Sequence, residues 1–131
     1  MPGYTITNLR GDVEDAAVAF GLSPGLEARF ASGGLGLTRL GVSYQRLAPG
    51  FRVPFGHKHA EQEELYVVLS GAGRVRLGDE VHGIAQWDAV RVDKDTMRNF
   101  EAGPEGLEFL AIGAPATGPG DAQTEPGWWS E

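Results

Sequence analysis

From Leu35 onward the chain alternates apolar and polar residues in short runs, each stopped by glycine, proline or aspartate, which is the pattern of half-buried strands joined by tight turns. "LGLTRLGVSYQRL" (35–47) predicts a long strand ended by Ala48, Pro49 and Gly50. "ELYVVLSG" (64–71), "WDAVRV" (87–92) and "GLEFLAIGAP" (106–115) predict three more, and "GRVRLGDEVHGI" (73–84) predicts a hairpin pivoting on Gly78 and Asp79. Ahead of these, "YTITNL" (4–9) reads as a short edge strand. "DVEDAAVAFG" (12–21) reads as one short helix with an Asp cap and a stopping Gly, and "SPGLEARFASGG" (23–34) has room for a further helical turn. After Pro115 the chain is so rich in Gly and Pro that it predicts a tail without an element. The adjacent Trp128 and Trp129 must still dock, on the barrel's own surface or on a second subunit, to avoid exposing two indoles.

Short strands at near-regular spacing define an all-β class, a sandwich or a barrel. With 131 residues, 41% hydrophobic content, 20 glycines and 8 prolines, one domain suffices. Its parts are an N-terminal strand and short helix (1–34), a barrel (35–115) and a tail (116–131). A net charge of −7 argues against nucleic acid and against anionic membrane surfaces as partners. The absence of cysteine removes disulfides, thiolate ligands and thiol nucleophiles. The start "MPGYTITNLRG" has no basic and apolar leader, and no run approaches a membrane span, so a cytoplasmic protein is expected.

The candidate chemistry lies in "FGHKHAEQEELYVVLSG" (55–71). Residues two apart on a strand share a face, so His57 and His59 converge while Lys58 points away, and a turn through 60–63 returns Glu64 beside them. Two imidazoles and a carboxylate suit one divalent ion such as Fe, Mn, Ni or Zn. No organic cofactor is indicated. Alternation along the next strand puts Glu64, Tyr66, Val68 and Ser70 on one face, which presents the Tyr66 hydroxyl to the same pocket. Ser43 and Gln45 share a face of their own. Gln62 sits in the turn, where it is expected as a solvated residue with the overhang of the mouth as the alternative, and His82 is expected on the surface.

The run His57-x-His59-x4-Glu64-x6-Gly71 resembles the first motif of the cupin superfamily. The resemblance covers about 35–113 and implies a double-stranded β-helix, a jelly-roll barrel, in which these two histidines and the glutamate are metal ligands. It also implies a homodimer, with 4–9 crossing to the partner. The family's second motif keeps its frame here but not its residues. Trp87 stands for the first Gly, Asp93 for Pro, Asp95 for the second Gly, Arg98 for the histidine ligand and Ala102 for Asn.

An arginine cannot ligate a cation. Either Arg98 pairs with Glu64 in a metal-free interior, or it anchors an anionic substrate, a carboxylate for example, while the other three residues hold an ion. The expectation is a small-molecule-binding protein with an enzyme-like site in which Arg98, Tyr66 and His59 carry the chemistry. The alternative is a ligand-binding or sensing module without turnover.

Overall fold

The computed structural model describes residues 3–118 and 120–130. Eight strands and one turn of helix follow in order: β1 (Leu26–Phe30), α1 (Ser32–Leu35), β2 (Gly41–Leu47), β3 (Phe55–His59), β4 (Glu63–Leu77), β5 (Glu80–Ala85), β6 (Ala89–Val92), β7 (Arg98–Ala114) and β8 (Ala122–Pro126). They form one curled antiparallel sheet, the double-stranded β-helix that the strand pattern predicts. No helix among the described residues is long and apolar enough to cross a membrane.

Two long bent strands close the barrel. The second half of β7 lies between β2 and β4, with Leu110 opposite both Tyr44 and Val67. Its first half pairs with the far end of β4, Phe100 opposite Val75. The bends come from register shifts in β4 at Val68/Ser70 and Gly71/Gly73. Only glycine fits at Gly71, whose φ is +79° and whose Cβ would stand 2.1 Å from the Gly106 carbonyl oxygen. β4 then folds onto β5 through Gly78 (φ 58°) and Asp79, Leu77 facing Glu80, as the sequence predicts.

The predicted alternation on β4 holds as far as the bend. Glu64, Tyr66 and Val68 are buried, and Ser70, expected on the same face, is exposed because the shift at Val68/Ser70 intervenes. Inside, Phe100 stacks on Phe109 at 4.8 Å and Tyr66 leans on both, at 4.7 and 5.7 Å. These rings fill the barrel with Leu47, Leu107 and Val75, each with 1% of its surface exposed or less.

The ends of the chain depart from the sequence expectation. Residues 4–9 form no strand, and Tyr4 and Ile6 are exposed. Turns replace the helix expected at 12–21, because the Asp15 carboxylate accepts the N–H groups of Ala17 and Ala28 at 3.0 and 2.9 Å. The Ala16 N–H also donates to the Ala28 carbonyl at 2.7 Å, pinning the segment to β1 instead of to itself. Within 23–34 the chain forms strand β1 (Leu26–Phe30) first, and the helical turn α1 begins at Ser32, near the end of the span.

The supposed tail supplies β8, which pairs with β3 over Phe55↔Pro126 to His59↔Ala122. Trp128 and Trp129 dock on their own chain. Arg76 lies over Trp128 and Arg52 over Trp129, each 4.1 Å from a ring centroid. The same arginines donate to the Trp128 and Trp129 carbonyls at 2.9 and 2.8 Å. Gly56 leaves room for the first indole, since a Cβ there would come within 2.6 Å of Trp128.

Candidate metal centre

β3 and β4 bring His57, His59 and Glu64 together as the spacing predicts, with one donor atom from each lying within 4.8 Å of the others. His57 Nε2 stands 3.3 Å and His59 Nε2 3.0 Å from the same atom, Glu64 Oε1. The Tyr66 hydroxyl donates to that oxygen as well. Arg98, fully buried, places Nη1 3.4 Å from it and donates from Nη2 to the Asp93 carbonyl at 2.7 Å. One carboxylate oxygen is thus the focus of two imidazoles, a phenol and a guanidinium.

The electrostatics follow from this convergence. Burial disfavours the Glu64 charge, but hydrogen bonds with His57, His59 and Tyr66 outweigh it and hold the carboxyl well below the usual carboxylate range. Burial pushes the His57 imidazole down, against the pull of Glu64. His59 also loses to burial, yet Glu64 on one nitrogen and Asp121 on the other raise it. Burial and the neighbouring Glu64 charge push the Tyr66 phenol well up, so it keeps its proton.

The three donors fit a divalent ion. Ligands at about 2.0–2.2 Å from one metal sit roughly 3 Å apart at right angles, which matches the spacings around Glu64 Oε1. A second feature of a built site is the histidine whose outer nitrogen is held by a carboxylate: His59 Nδ1 lies 2.8 Å from Asp121 Oδ2.

The donors face a cavity of about 460 Å³. Its walls are mainly apolar, with Phe20, Leu22, Phe55, Phe100 and Phe109 prominent, and Ser43, Gln45 and Asn99 supply polar points. Gln62 lines it and donates to the Pro115 carbonyl at 3.2 Å, and His82 is exposed beside Glu80 as expected. Arg98 differs from one expectation. It is not among the lining residues, and its charge is directed at Glu64, so no arginine or lysine among the described residues meets a ligand in the cavity. The side-chain argument for a carboxylate ligand goes with it.

Sequence reasoning missed Asp121, Thr124 and the N-terminal Phe20 and Leu22, all of which line the cavity. Their only signal is long-range pairing, which has no local periodicity. Trp87, where the second motif begins, has a left-handed backbone (φ 72°), a conformation that glycine adopts without strain.

The cupin domain family matches residues 43–113, and the chain belongs to that family. A cupin protein from Bacteroides fragilis is 28% identical, with 88% of this chain and 87% of that chain covered and a TM-score of 0.72. KdgF from Halomonas sp. is 19% identical over 88% of this chain and 96% of that one, TM-score 0.69. Oxalate decarboxylase from Bacillus subtilis is 22% identical over 91% of this chain and 32% of that one, TM-score 0.73. No curated protein matches. The last two, below 25% identity, speak for the fold alone, which hosts many chemistries, and the site must speak for the function.

Proposed function

We propose that this cupin binds a small, largely apolar molecule and acts on it at a three-ligand metal centre formed by His57, His59 and Glu64. The observation that carries the reading is the convergence of three donor atoms on the wall of an apolar cavity of about 460 Å³. A divalent ion, when bound, supplies Lewis-acid polarisation of a carbonyl or hydroxyl oxygen, in the service of isomerase or dioxygenase-type chemistry.

The chain's own residues do the rest. The Tyr66 hydroxyl holds its proton and fixes Glu64 Oε1. Arg98 balances the Glu64 charge from within the wall. The Gln45 amide donates to Ser43 Oγ at 3.1 Å, which leaves the serine hydroxyl hydrogen and the Gln45 carbonyl to orient a polar group of the ligand. The aromatic walls exclude water from it. With Glu64 and Asp121 both lining the cavity and no arginine or lysine among the lining residues, a neutral ligand with one or two oxygen donors is favoured over a carboxylate.

The test is metal content per chain by elemental mass spectrometry, after the protein is offered Fe, Mn, Ni and Zn and desalted. Occupancy near one that collapses in His57→Ala supports the reading, and occupancy near zero for every ion removes it. A metal-free binding site is the second reading. It is favoured by one observation: Glu64 Oε1 already has the Tyr66 hydroxyl, both histidines and Arg98 around it, and needs no ion to offset its charge.

A further inference from the structure

The strand that carries both histidines has little support from the barrel itself. β3 meets β7 at a single pair, His57↔Arg98, and its full-length partner is β8. β8 shows no apolar face, all five of its residues being exposed, so its backbone pairing and flanking contacts define its place. One flank is the Trp128 and Trp129 clasp. The other is Asp121, whose side chain is only 7% exposed.

The Asp121 carboxylate is used at both oxygens. Oδ1 accepts the Glu61 N–H at 2.9 Å, and Oδ2 lies 2.8 Å from His59 Nδ1. Its backbone carbonyl accepts the Ala60 N–H at 3.0 Å. Asp121 therefore spans the turn that joins the two histidines to Glu64, and it addresses one imidazole nitrogen of the three-residue cluster. Beside it, Gly120 and Ala122 line the cavity.

The Asp121 carboxylate at hydrogen-bond distance calls for a proton on Nδ1. Glu64 Oε1, 3.0 Å from Nε2, shares a proton there when no ion is bound, and that is the proton an ion would displace. The other nitrogen, Nε2, is the one that faces Glu64 and the cavity. We propose that Asp121, on a segment outside the matched family region 43–113, is a positioning residue that keeps the proton on His59 Nδ1 and turns Nε2 toward the ligand set. The proposal deepens the metal-centre reading and rests on it for its functional meaning, although the placement of the proton stands apart from any ion. It also makes residues 120–130 part of the site. They hold the histidine strand from outside while Asp121 sets the chemistry of its last residue.

The experiment uses the full chain, isotope-labelled, in three forms: wild type, Asp121→Ala and Asp121→Asn. Long-range proton–nitrogen spectra of the three histidines, recorded with and without zinc, are combined with zinc affinity by chelator competition. In the wild type His59 Nδ1 is expected to carry a proton in both states. Asp121→Ala is expected to release that proton to either nitrogen and to weaken zinc binding by about 10–100-fold, with the His57 signals in place. Asp121→Asn keeps the size and one acceptor oxygen, so it should fold where the alanine variant does not and should fall between the two.

A bare Nδ1 in the wild type would overturn the proposal. So would Asp121→Ala with an unchanged His59 spectrum and unchanged affinity. Variants whose His57 and His59 signals move together would also overturn it, because that pattern reports general loosening of β3. If the wild type binds no zinc, the metal reading fails, and the zinc-free spectra alone decide the role of Asp121.

Discussion

Two buried carboxylates sit at opposite ends of this chain's chemistry, Glu27 on β1 and Glu64 on β4, and both are held far toward the charged form. Three arginines surround Glu27: Arg29 at 2.7 Å, Arg46 at 3.1 Å and Arg10 at 3.2 Å. Burial opposes its charge, but those hydrogen bonds lower the carboxyl to about 2. Glu64 has one arginine, and the rest of its shell is two histidines and a tyrosine. Permanent cations with no lone pair make the first cluster a fixed brace of β1 to β2 and the N-terminal segment. Imidazoles, which can present a lone pair or a proton, make the second cluster one that can accept a ligand. Depressed acidity alone therefore does not mark a functional carboxylate, and the identity of the partners does.

The difference can be broken most forcefully at Arg98. Arg98→Leu leaves Glu64 buried without its cation and is expected to cost about 3–5 kcal/mol in denaturant unfolding, because one half of a buried pair is stranded. The same experiment on Arg10, whose side chain is 59% exposed and which shares Glu27 with two other arginines, should leave the unfolding midpoint unchanged. Equal losses at both sites would erase the distinction between the clusters.

Acid sharpens the contrast next. The Glu27 carboxyl is depressed in the fold, so its stabilisation is full above its ordinary value of roughly 4.3 and is lost as pH falls toward about 2. Glu27→Gln should remove on the order of 1–2 kcal/mol at neutral pH, after discounting for the exposure of Arg10 and Arg46. The gap between variant and wild type should close between roughly pH 5 and 2, as read from urea midpoints across that range.

An effect of similar size is expected at Tyr66, whose ring packs on Phe100 and Phe109 while its hydroxyl serves Glu64. Tyr66→Phe keeps the packing and removes one donor to a charged acceptor, for about 1.5 kcal/mol of stability. Its larger consequence should be in ligand or metal affinity, measured by titration. An unchanged affinity would reduce Tyr66 to a barrel aromatic.

How much of this was readable beforehand depended on the range of the interactions. His57, His59, Glu64 and Tyr66 lie within ten residues, and the period of two carried all of them to one place. The Gly78 and Asp79 hairpin was equally local. The alternation failed at Ser70, where the bend between Val68 and Ser70 leaves no mark in the hydrophobic pattern. Asp15 read as part of a helix because Ala-rich context favours one, and its carboxylate was instead spent on Ala28, thirteen residues on. β8 could not be found by periodicity, since a strand exposed on both faces needs no apolar residues. Arg98 was legible as the odd residue of the second motif, but whether it faced the cavity or Glu64 depended on packing that no local pattern encodes.

The pairing of an early strand with a late one has a consequence for the order of manufacture. Asp121 follows His59 by 62 residues, and translation at about 5–20 residues per second separates the two by roughly 3–12 s. His59 emerges from the ribosome about that long before Asp121 does, and in between the edge of the histidine strand is open to competing chains. Any ion or ligand that reaches the nascent barrel then meets a half-built pocket. The binding site is complete only once residue 121 has emerged, and factors that shield open strand edges should matter most for this protein during those seconds.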